Sequence, residues 1–313
     1  MTYVLRGATL GLAWFLVVNV ALALASAGFA RLTRRSPGWL LVVRLLPSVA
    51  SAAFAALVFV PSYWQYEPKD TAEGFDLTLT TLASLALFLL AAGAVRGVNS
   101  WRLARRRARL WHESSRPLPA GFLGSTIPAF RIDADAPLMA LVGIVRPRLF
   151  VTRGLLDVLT HDELAATIAH ETGHYRARDN FKRLAIRCAP DLLAFLPASR
   201  WIEHEWTTSA EHAADASAAA AGTGMRLALA SALVKVAQLM PPAAPSGEPI
   251  SALVGAAGLA VRVERLVDGI DEPAPDIRPA TGALVALLVL ALAYGPMIQA
   301  VHWLTEVFVH SLP

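Results

Sequence analysis

Residues 160–177 read THDELAATIAHETGHYRA, and this stretch predicts one helix with a metal-binding face. Its first residue, a threonine, stands three positions ahead of Glu163, which is the signature of a capping box at a helix start. Residues four apart lie one above the other on a helix, so the imidazoles of His170 and His174 can hold one metal ion. Glu171 is then placed to take a proton from water bound to that metal.

Such a five-residue pattern also arises by chance, so the hypothesis needs support from the rest of the chain. Gly173 destabilises a helix by about 1 kcal/mol relative to alanine, which indicates that another part of the protein approaches the backbone there. The alanine-rich run Ser209 to Ala221 predicts a second helix, with Glu211 and Asp215 on one face. Two acidic residues alone would be explained by a helix face exposed to solvent. Here, however, Glu211 can serve as the third ligand of the metal site that the two histidines begin.

Glu211 as third protein ligand leaves the fourth zinc position open for water, as in catalytic zinc sites. Asp215, one turn further on, is then placed to hydrogen-bond the far nitrogen of a ligating histidine and orient the ring. The cofactor we expect is therefore zinc, held by His170, His174 and Glu211. Glu171 and Asp215 are the predicted catalytic residues.

The composition is too apolar for an ordinary soluble domain: 55% of the 313 residues are hydrophobic and 17% are charged. About 20 apolar residues are needed to cross a membrane as a helix. Four runs reach that length: Tyr3–Ala30, and approximately Leu45–Tyr63, Leu77–Val95 and Thr281–Leu304. The first run also resembles a signal peptide, but its apolar region exceeds the usual length of 7 to 15 residues, which favours an anchored helix.

Charges in the loops predict the orientation of these helices, because Lys and Arg concentrate on the cytoplasmic side. The loops after the first and third runs are basic, whereas the loop after the second run is acidic. The basic residues are Arg31, Arg34, Arg35, Arg44, Arg96, Arg102, Arg105, Arg106, Arg107, Arg109 and Arg116, and the acidic ones are Glu67, Asp70, Glu73 and Asp76. Both termini are therefore expected outside, with the central stretch in the cytoplasm.

This pattern divides the chain into three membrane helices (1–96), a cytoplasmic domain (97–280), a fourth membrane helix (281–304) and a short external tail (305–313). Two short strands, Leu138–Gly143 and Arg148–Thr152, predict a small sheet in that domain. The expected fold is thus a four-span α-helical membrane protein with a mainly α (α+β) domain. Pro241–Pro249 and Asp271–Pro279 read as exposed linkers, and the single cysteine, Cys188, as a small buried residue.

Taken together, these motifs resemble the BlaR/MecR-type antirepressor metallopeptidases of bacterial membranes. The resemblance covers the three first spans, the fourth span and several motifs: Gly143 to Val151, Gly154-Leu155-Leu156, Leu159, His170 to His174, Arg178-Asp179 and Glu211 to Asp215. It implies a zincin-like cytoplasmic domain at the bacterial inner membrane, with His170, His174 and Glu211 as zinc ligands and Glu171 as general base. It also implies cleavage of a cytoplasmic transcriptional repressor, in some cases after self-cleavage.

Only nine residues follow the fourth span here, where drug-sensing members of that family carry a large external domain, so direct β-lactam sensing is not expected. Membrane proteases of the HtpX kind share the HExGH helix and the Glu-x-x-x-Asp element, and quality control of membrane proteins is the alternative function. A catalytically silent receptor or scaffold is a third hypothesis, against which the intact metal-binding set argues.

Other residues carry weaker hypotheses. The basic run Arg102–Arg109 follows a membrane exit, so we expect contacts with anionic lipids and no direct contact with nucleic acid. His204 and His212 are candidate donors to an oxyanion, although each is by default a bystander. Arg262 and Arg265 are candidates to line a substrate groove, although a solvated helix face is the default assignment.

Substrate binding is expected at the strand Leu138–Gly143, which precedes the zinc helix as the edge strand does in zincin-like proteases. An extended peptide can add to such an edge by backbone hydrogen bonds. The chain's own segment Pro241–Val254 is tethered to the catalytic domain, which raises its effective concentration at the site. We therefore expect slow zinc-dependent self-cleavage between about Pro241 and Ala260.

The membrane topology can be tested by cysteine labelling of intact cells. We expect Asp70→Cys to react with a membrane-impermeant thiol reagent and Arg107→Cys to react only after permeabilisation, because the charges place these positions on opposite sides. Labelling of Arg107→Cys in intact cells would overturn the cytoplasmic placement of the metal-binding helices.

Overall fold

A computed structural model of the chain describes residues 3–29, 36–68, 77–239, 251–252, 258–269 and 280–311. The predicted linkers Pro241–Pro249 and Asp271–Pro279 lie outside these residues. So do six of the fifteen loop charges that predict the orientation, namely Arg31, Arg34, Arg35, Asp70, Glu73 and Asp76.

The described residues form a mostly helical protein with one small sheet. The helices are α1 (Tyr3–Phe29), α2 (Pro37–Phe54), α3 (Val60–Tyr66), α4 (Leu77–Glu113), α5 (Arg153–Val158), α6 (His161–Ala177), α7 (Asp179–Cys188), α8 (Pro197–Ala219), α9 (Thr223–Leu239), α10 (Leu259–Asp268) and α11 (Ala280–Ser311). The strands are β1 (Ser115–Pro117), β2 (Ala129–Ile132), β3 (Met139–Val142), β4 (Arg148–Thr152) and β5 (Ser251–Ala252).

Among the described residues, three helical stretches are long and apolar enough to cross a membrane: Tyr3–Phe29, Pro37–Tyr66 and Leu77–Glu113. The second combines α2 and α3 through a π-helical turn. It begins earlier than predicted, because Pro37 occupies the first turn and the Ser36 hydroxyl accepts a hydrogen bond from the Trp39 N–H (3.3 Å). The fourth predicted span lies within α11, and its crossing of the membrane stays a prediction.

Arg44 was counted above as a loop charge, but it is buried inside α2 and forms ion pairs with residues that follow α4 in the chain. Its guanidinium lies 3.0 Å from an Asp191 oxygen and 3.0 Å from Glu203 Oε1, on α8. Arg44 and Asp191 are 2% and 0% exposed at their side chains, so neither charge has access to solvent. This pairing joins the second membrane helix directly to α8.

The third membrane helix contacts α7 at two glycines. A Cβ atom on Gly97 would lie far too close to the Cys188 Sγ, and a Cβ on Gly93 would lie 2.7 Å from the Cys188 carbonyl oxygen. Both glycines therefore permit the close approach of the two helices. Cys188, predicted as a buried residue, is exposed beside this contact.

The sheet has the strand order β1-β2-β4-β3-β5, with β2 and β4 parallel and the other pairs antiparallel. The predicted pairing of β3 with β4 is confirmed. The expectation that β3 is an edge strand is wrong, because β5 pairs with it through Ala140 with Ala252 and Leu141 with Ser251. The chain's own backbone thus occupies the edge to which a substrate was expected to add.

Side chains of β3 and β4 alternate between two apolar layers, as the period of a strand requires. One layer contacts α6 and α9, and its members include Met139, Leu141, Leu149, Val151, Leu164, Ile168, Leu229 and Leu233. The other layer contacts the end of α4 and includes Ala140, Val142, Phe150 and Trp111. The sheet is therefore held between helices α6 and α9 on one side and the extension of α4 on the other.

The start of α6 has the predicted capping box. The Thr160 N–H donates to a Glu163 carboxylate oxygen (2.8 Å), and the Glu163 N–H donates to the Thr160 hydroxyl (3.4 Å). The same carboxylate accepts from Ser231 (2.6 Å) and Lys235 (2.8 Å) on α9. Burial alone would raise the pKa of Glu163, but these hydrogen bonds more than offset it and lower the pKa to about 2.

Replacing Glu163 by glutamine tests this anchor. Since the folded pKa lies below the unfolded value of about 4.3, the carboxylate stabilises the fold above pH 4.3, and this contribution is lost as the pH falls towards 2. We expect Glu163→Gln to lower the free energy of unfolding by about 1 kcal/mol at pH 7. The gap in thermal midpoint between the two proteins should narrow from pH 4 to pH 2; a constant gap would contradict the assignment.

Candidate metal centre

Helices α6 and α8 bring three predicted ligands together in the interior of the protein. One ligand atom from each of His170, His174 and Glu211 lies within 4.8 Å of the others. The Nε2 atoms of His170 and His174 are each 3.6 Å from a Glu211 carboxylate oxygen. The three residues are 0%, 1% and 4% exposed.

These residues fit a zinc ion. Ligand atoms at zinc–nitrogen and zinc–oxygen distances of about 2.1 Å in a tetrahedron lie about 3.4 Å apart, close to the separations found. The Nε2 atoms of both histidines are buried and accept or donate no hydrogen bond within the described parts of the chain. Buried polar atoms of this kind are otherwise hydrogen-bonded, so a metal accounts for their environment.

Gly173 explains how α8 reaches the histidines. A Cβ atom at this position would lie 3.1 Å from the Ala214 Cα, which is closer than such atoms normally approach. The expected close approach to the Gly173 backbone is therefore confirmed, and the approaching element is α8. Alanines at positions 210, 214 and 218 are buried on the same side of α8 and keep the two helix axes close.

Each histidine is oriented by a carboxylate at its other ring nitrogen. His170 Nδ1 lies 2.9 Å from Asp215 Oδ1, as the spacing on α8 predicts. His174 Nδ1 lies 2.8 Å from Asp179 Oδ2, a partner to which the sequence reasoning gave no role. Helix α6 ends at Arg178 in a left-handed conformation (φ 56°), and this turn brings the next residue, Asp179, back to the histidine.

The position of Asp179 in the sequence is itself a local indication of its role. An acidic residue just beyond the end of the metal helix can reach the last histidine when the chain reverses there. The helix end itself is predictable only approximately, because an arginine in the left-handed region is uncommon.

Arg262 on α10 completes the carboxylate contacts, and its default assignment to a solvated helix face is wrong. Its guanidinium donates two hydrogen bonds to Asp215, each 2.7 Å long, and lies 3.1 Å from Glu211 Oε2. The residue is 1% exposed. The paired fork geometry is the one that arginine adopts with carboxylates, so α10 is held against the site by charge-assisted hydrogen bonds.

The electrostatics of the site follow from these contacts. Burial raises the pKa of the Glu171 carboxyl, whose two oxygens are buried without hydrogen-bond partners among the described residues. Burial alone would also raise the pKa of Asp215, but hydrogen bonds from His170 and Arg262 lower it. The pKa values of Glu171 and Asp215 are thus shifted in opposite directions, which separates a proton acceptor from a fixed anion.

The remaining histidines lie outside the ligand group. His204 is exposed on α8, and His212 is partly buried, with a pKa lowered by burial and by Arg265. His302 lies near Glu67 and Glu306 in a second group of potential ligands. The Arg6 guanidinium is 2.8 Å from a Glu67 oxygen, so an arginine already neutralises part of that group.

The segment that holds β2 to β4 and helices α5 to α9 is the part that matches a known family model. Residues 129–244 match the family model described as Peptidase family M48. A protease HtpX homolog from Nostoc sp. is 31% identical over 114 residues, which cover 36% of this chain and 37% of that protein. One from Thermoplasma acidophilum is 50% identical over 65 residues, 20% of each chain. A third, from Salinibacter ruber, is 33% identical over 111 residues, which cover 40% of its length.

The chain thus spans less than half the length of the curated relatives it matches. The match supports a metallopeptidase of the M48 kind and favours the HtpX-like alternative over the BlaR/MecR-type resemblance. The matched residues include His170, Glu171, His174 and Glu211, although not Arg262, which lies beyond the end of the match.

The metal assignment predicts how zinc content responds to substitution. His170→Ala and Glu211→Ala should lose the ion, whereas Glu171→Gln should retain about one zinc per chain. Asp179→Asn and Asp215→Asn should each weaken zinc binding by about 10- to 100-fold, because the histidines lose their orienting partners. Elemental analysis and competition with a chromogenic chelator measure both quantities.

His204→Ala is the matched control, since this histidine is exposed on the same helix as Glu211. It should keep both the zinc and its affinity. Wild-type zinc affinity in Glu211→Ala would require another carboxylate as the third ligand.

Proposed function

We propose that the protein is a membrane-bound zinc endopeptidase that cleaves protein substrates beside the membrane. The observation that carries the proposal is the convergence of His170, His174 and Glu211 at zinc-ligand separations, with the buried carboxyl of Glu171 next to them. Three protein ligands of this type leave one zinc position for water or substrate, which distinguishes a catalytic from a structural site.

Zinc bound there would polarise the peptide carbonyl and lower the pKa of a bound water. Glu171 would be the base that accepts a proton from the attacking water, and the raised pKa of its carboxyl suits it to hold that proton and pass it on. Asp215 and Asp179 hold the two imidazoles in the tautomer that leaves Nε2 free to ligate. Arg262 keeps Asp215 anionic through paired hydrogen bonds.

Membrane proteins and membrane-associated chains are the substrates we infer. Glu203, which pairs with Arg44 of the second membrane helix, lies on α8 eight residues before Glu211. This separation corresponds to about 12 Å along the helix. The metal centre is therefore close to the end of a membrane helix. This position, together with the similarity to HtpX homologs, supports quality control of membrane proteins over the cleavage of a soluble repressor, which we retain as the second candidate.

A silent receptor or scaffold is a poorer explanation of the site. The two Nε2 atoms and the Glu171 oxygens are buried polar groups that would destabilise a protein without a metal to bind. A scaffold gains nothing from an arrangement of this kind.

The mode of substrate binding follows from the sheet. Strand β5 pairs with β3 at Ala140 and Leu141, and both strands lie against the metal helix α6. This is the edge at which an extended substrate adds in zincin-like proteases. We infer that β5 must leave before a substrate can pair with β3, and that the segment which includes β5 is also the first candidate for self-cleavage.

A reversible cross-link tests the activity and the role of β5 together. In a Cys188→Ser background, Ala140→Cys and Ala252→Cys place thiols at paired positions of β3 and β5. The reduced protein, purified in detergent with zinc, should cleave an unfolded protein substrate, and the oxidised protein should lose at least about 90% of that activity because the edge cannot open. Reduction should restore it.

Two controls accompany this measurement. Glu171→Gln should bind zinc but lose activity by at least about 100-fold and leave residues 241–260 uncut, as judged by mass spectrometry of the termini. Ala140→Cys alone should be insensitive to oxidation. Full activity of the cross-linked protein would eliminate β5 as an occupant of the substrate site, whereas cleavage by Glu171→Gln at the wild-type rate would eliminate the proposed enzyme.

A further inference from the structure

A groove of about 500 Å³ lies between one face of α4 and the turn that joins β3 to β4. The helix contributes residues spaced by three or four positions, and the turn contributes the stretch after β3. The lining residues are Trp101, Ala104, Arg105, Ala108, Arg109, His112, Val142, Gly143, Ile144, Val145, Arg146 and Arg148. Neither the metal centre nor the membrane crossing requires this groove.

The groove is strongly cationic. Arg105 and Arg109 project from the helix, and Arg146 and Arg148 come from the turn and from β4. The described residues that line it include no acid, so these four positive charges are not neutralised within the lining. The guanidinium of Arg148 lies 5.5 Å from the centre of the Phe130 ring, which restricts its position. Clustered guanidinium groups of this kind bind phosphate.

The floor of the groove is apolar, unlike that of a surface patch for nucleic acid. Ala104 and Val142 are buried, and Ala108 and Ile144 are partly buried beside them. Small apolar residues below a rim of arginines suit an amphipathic ligand. The volume matches a small-molecule site and is too small for a folded macromolecule.

The groove also begins where the membrane ends. Val95 and Val98 on α4 are 58% and 46% exposed, as expected of side chains that face lipid. Arg105 follows Val98 by about 10 Å along the helix, which is just beyond a headgroup layer about 5 to 8 Å thick, so its long side chain can reach the headgroups. Trp101, at the end of the groove nearest the membrane, is of the type that concentrates at membrane interfaces.

We propose that this groove binds the headgroup of an anionic phospholipid, with the phosphate between the arginines of α4 and those of the β3–β4 turn. The ligand chemistry is that of a phosphate ester joined to an apolar chain. The proposal is independent of peptidase activity. It distinguishes Arg105 and Arg109, which line a site, from Arg102 and Arg106, which are exposed on the same helix outside it.

Binding of lipid to the full-length protein tests the site. Delipidated protein in a neutral detergent is titrated with phosphatidylglycerol, and bound lipid is counted by native mass spectrometry. We expect Arg105→Gln/Arg109→Gln to weaken binding about tenfold or more. Arg146→Gln, on the turn, should weaken it in the same direction without changing α4.

The matched control is Arg102→Gln/Arg106→Gln, which removes the same charge from the same helix and should change the affinity by less than about threefold. Equal losses in the two double variants would show diffuse surface attraction and overturn the site. Phosphatidylcholine should bind at least about tenfold more weakly than phosphatidylglycerol. If inorganic phosphate at millimolar concentration displaces the lipid completely, the groove is a site for soluble phosphate, and the lipid assignment is wrong.

Discussion

The approach of α8 to the backbone of Gly173 is the contact on which the candidate site depends. Glu211 can reach the two histidines of α6 only because no side chain separates Gly173 from Ala214. A Cβ atom at position 173 would require α8 to move by a few tenths of an ångström, which is already comparable to the tolerance of about 0.2 Å on metal–ligand distances. The glycine that weakens α6 as an isolated helix is thus what allows α6 and α8 to form one site.

Two buried carboxylates beside that contact are each compensated by two neighbouring groups. Asp215 joins His170 to Arg262, and Asp179 joins His174 to Lys182, whose ammonium lies 3.0 Å from the second carboxylate oxygen. Each carboxylate therefore meets a cation on one side and an imidazole on the other. Removing one member of such a pair leaves an uncompensated buried charge, which destabilises a protein far more than the intact pair stabilises it.

The sequence pattern predicted those features of the protein that depend on residues close together in the chain. The capping box at Thr160 and Glu163, the ligand spacing on α6, and the face shared by Glu211 and Asp215 all follow from one helical period. Arg44 and Arg262 were misread because their partners lie more than 40 residues away in the chain, and periodicity carries no information on such pairings. Likewise, the run containing β3 looks the same whether its edge is open or paired with β5.

The ion pairs of Arg44 also limit how this chain can vary. An arginine within a membrane helix and the carboxylates of Asp191 and Glu203 form a charge balance that spans two parts of the fold. A change at either end is tolerated only with a compensating change at the other. The membrane helices are therefore not an interchangeable anchor, because residues 129–244 joined to an unrelated anchor would leave Asp191 buried without its cation.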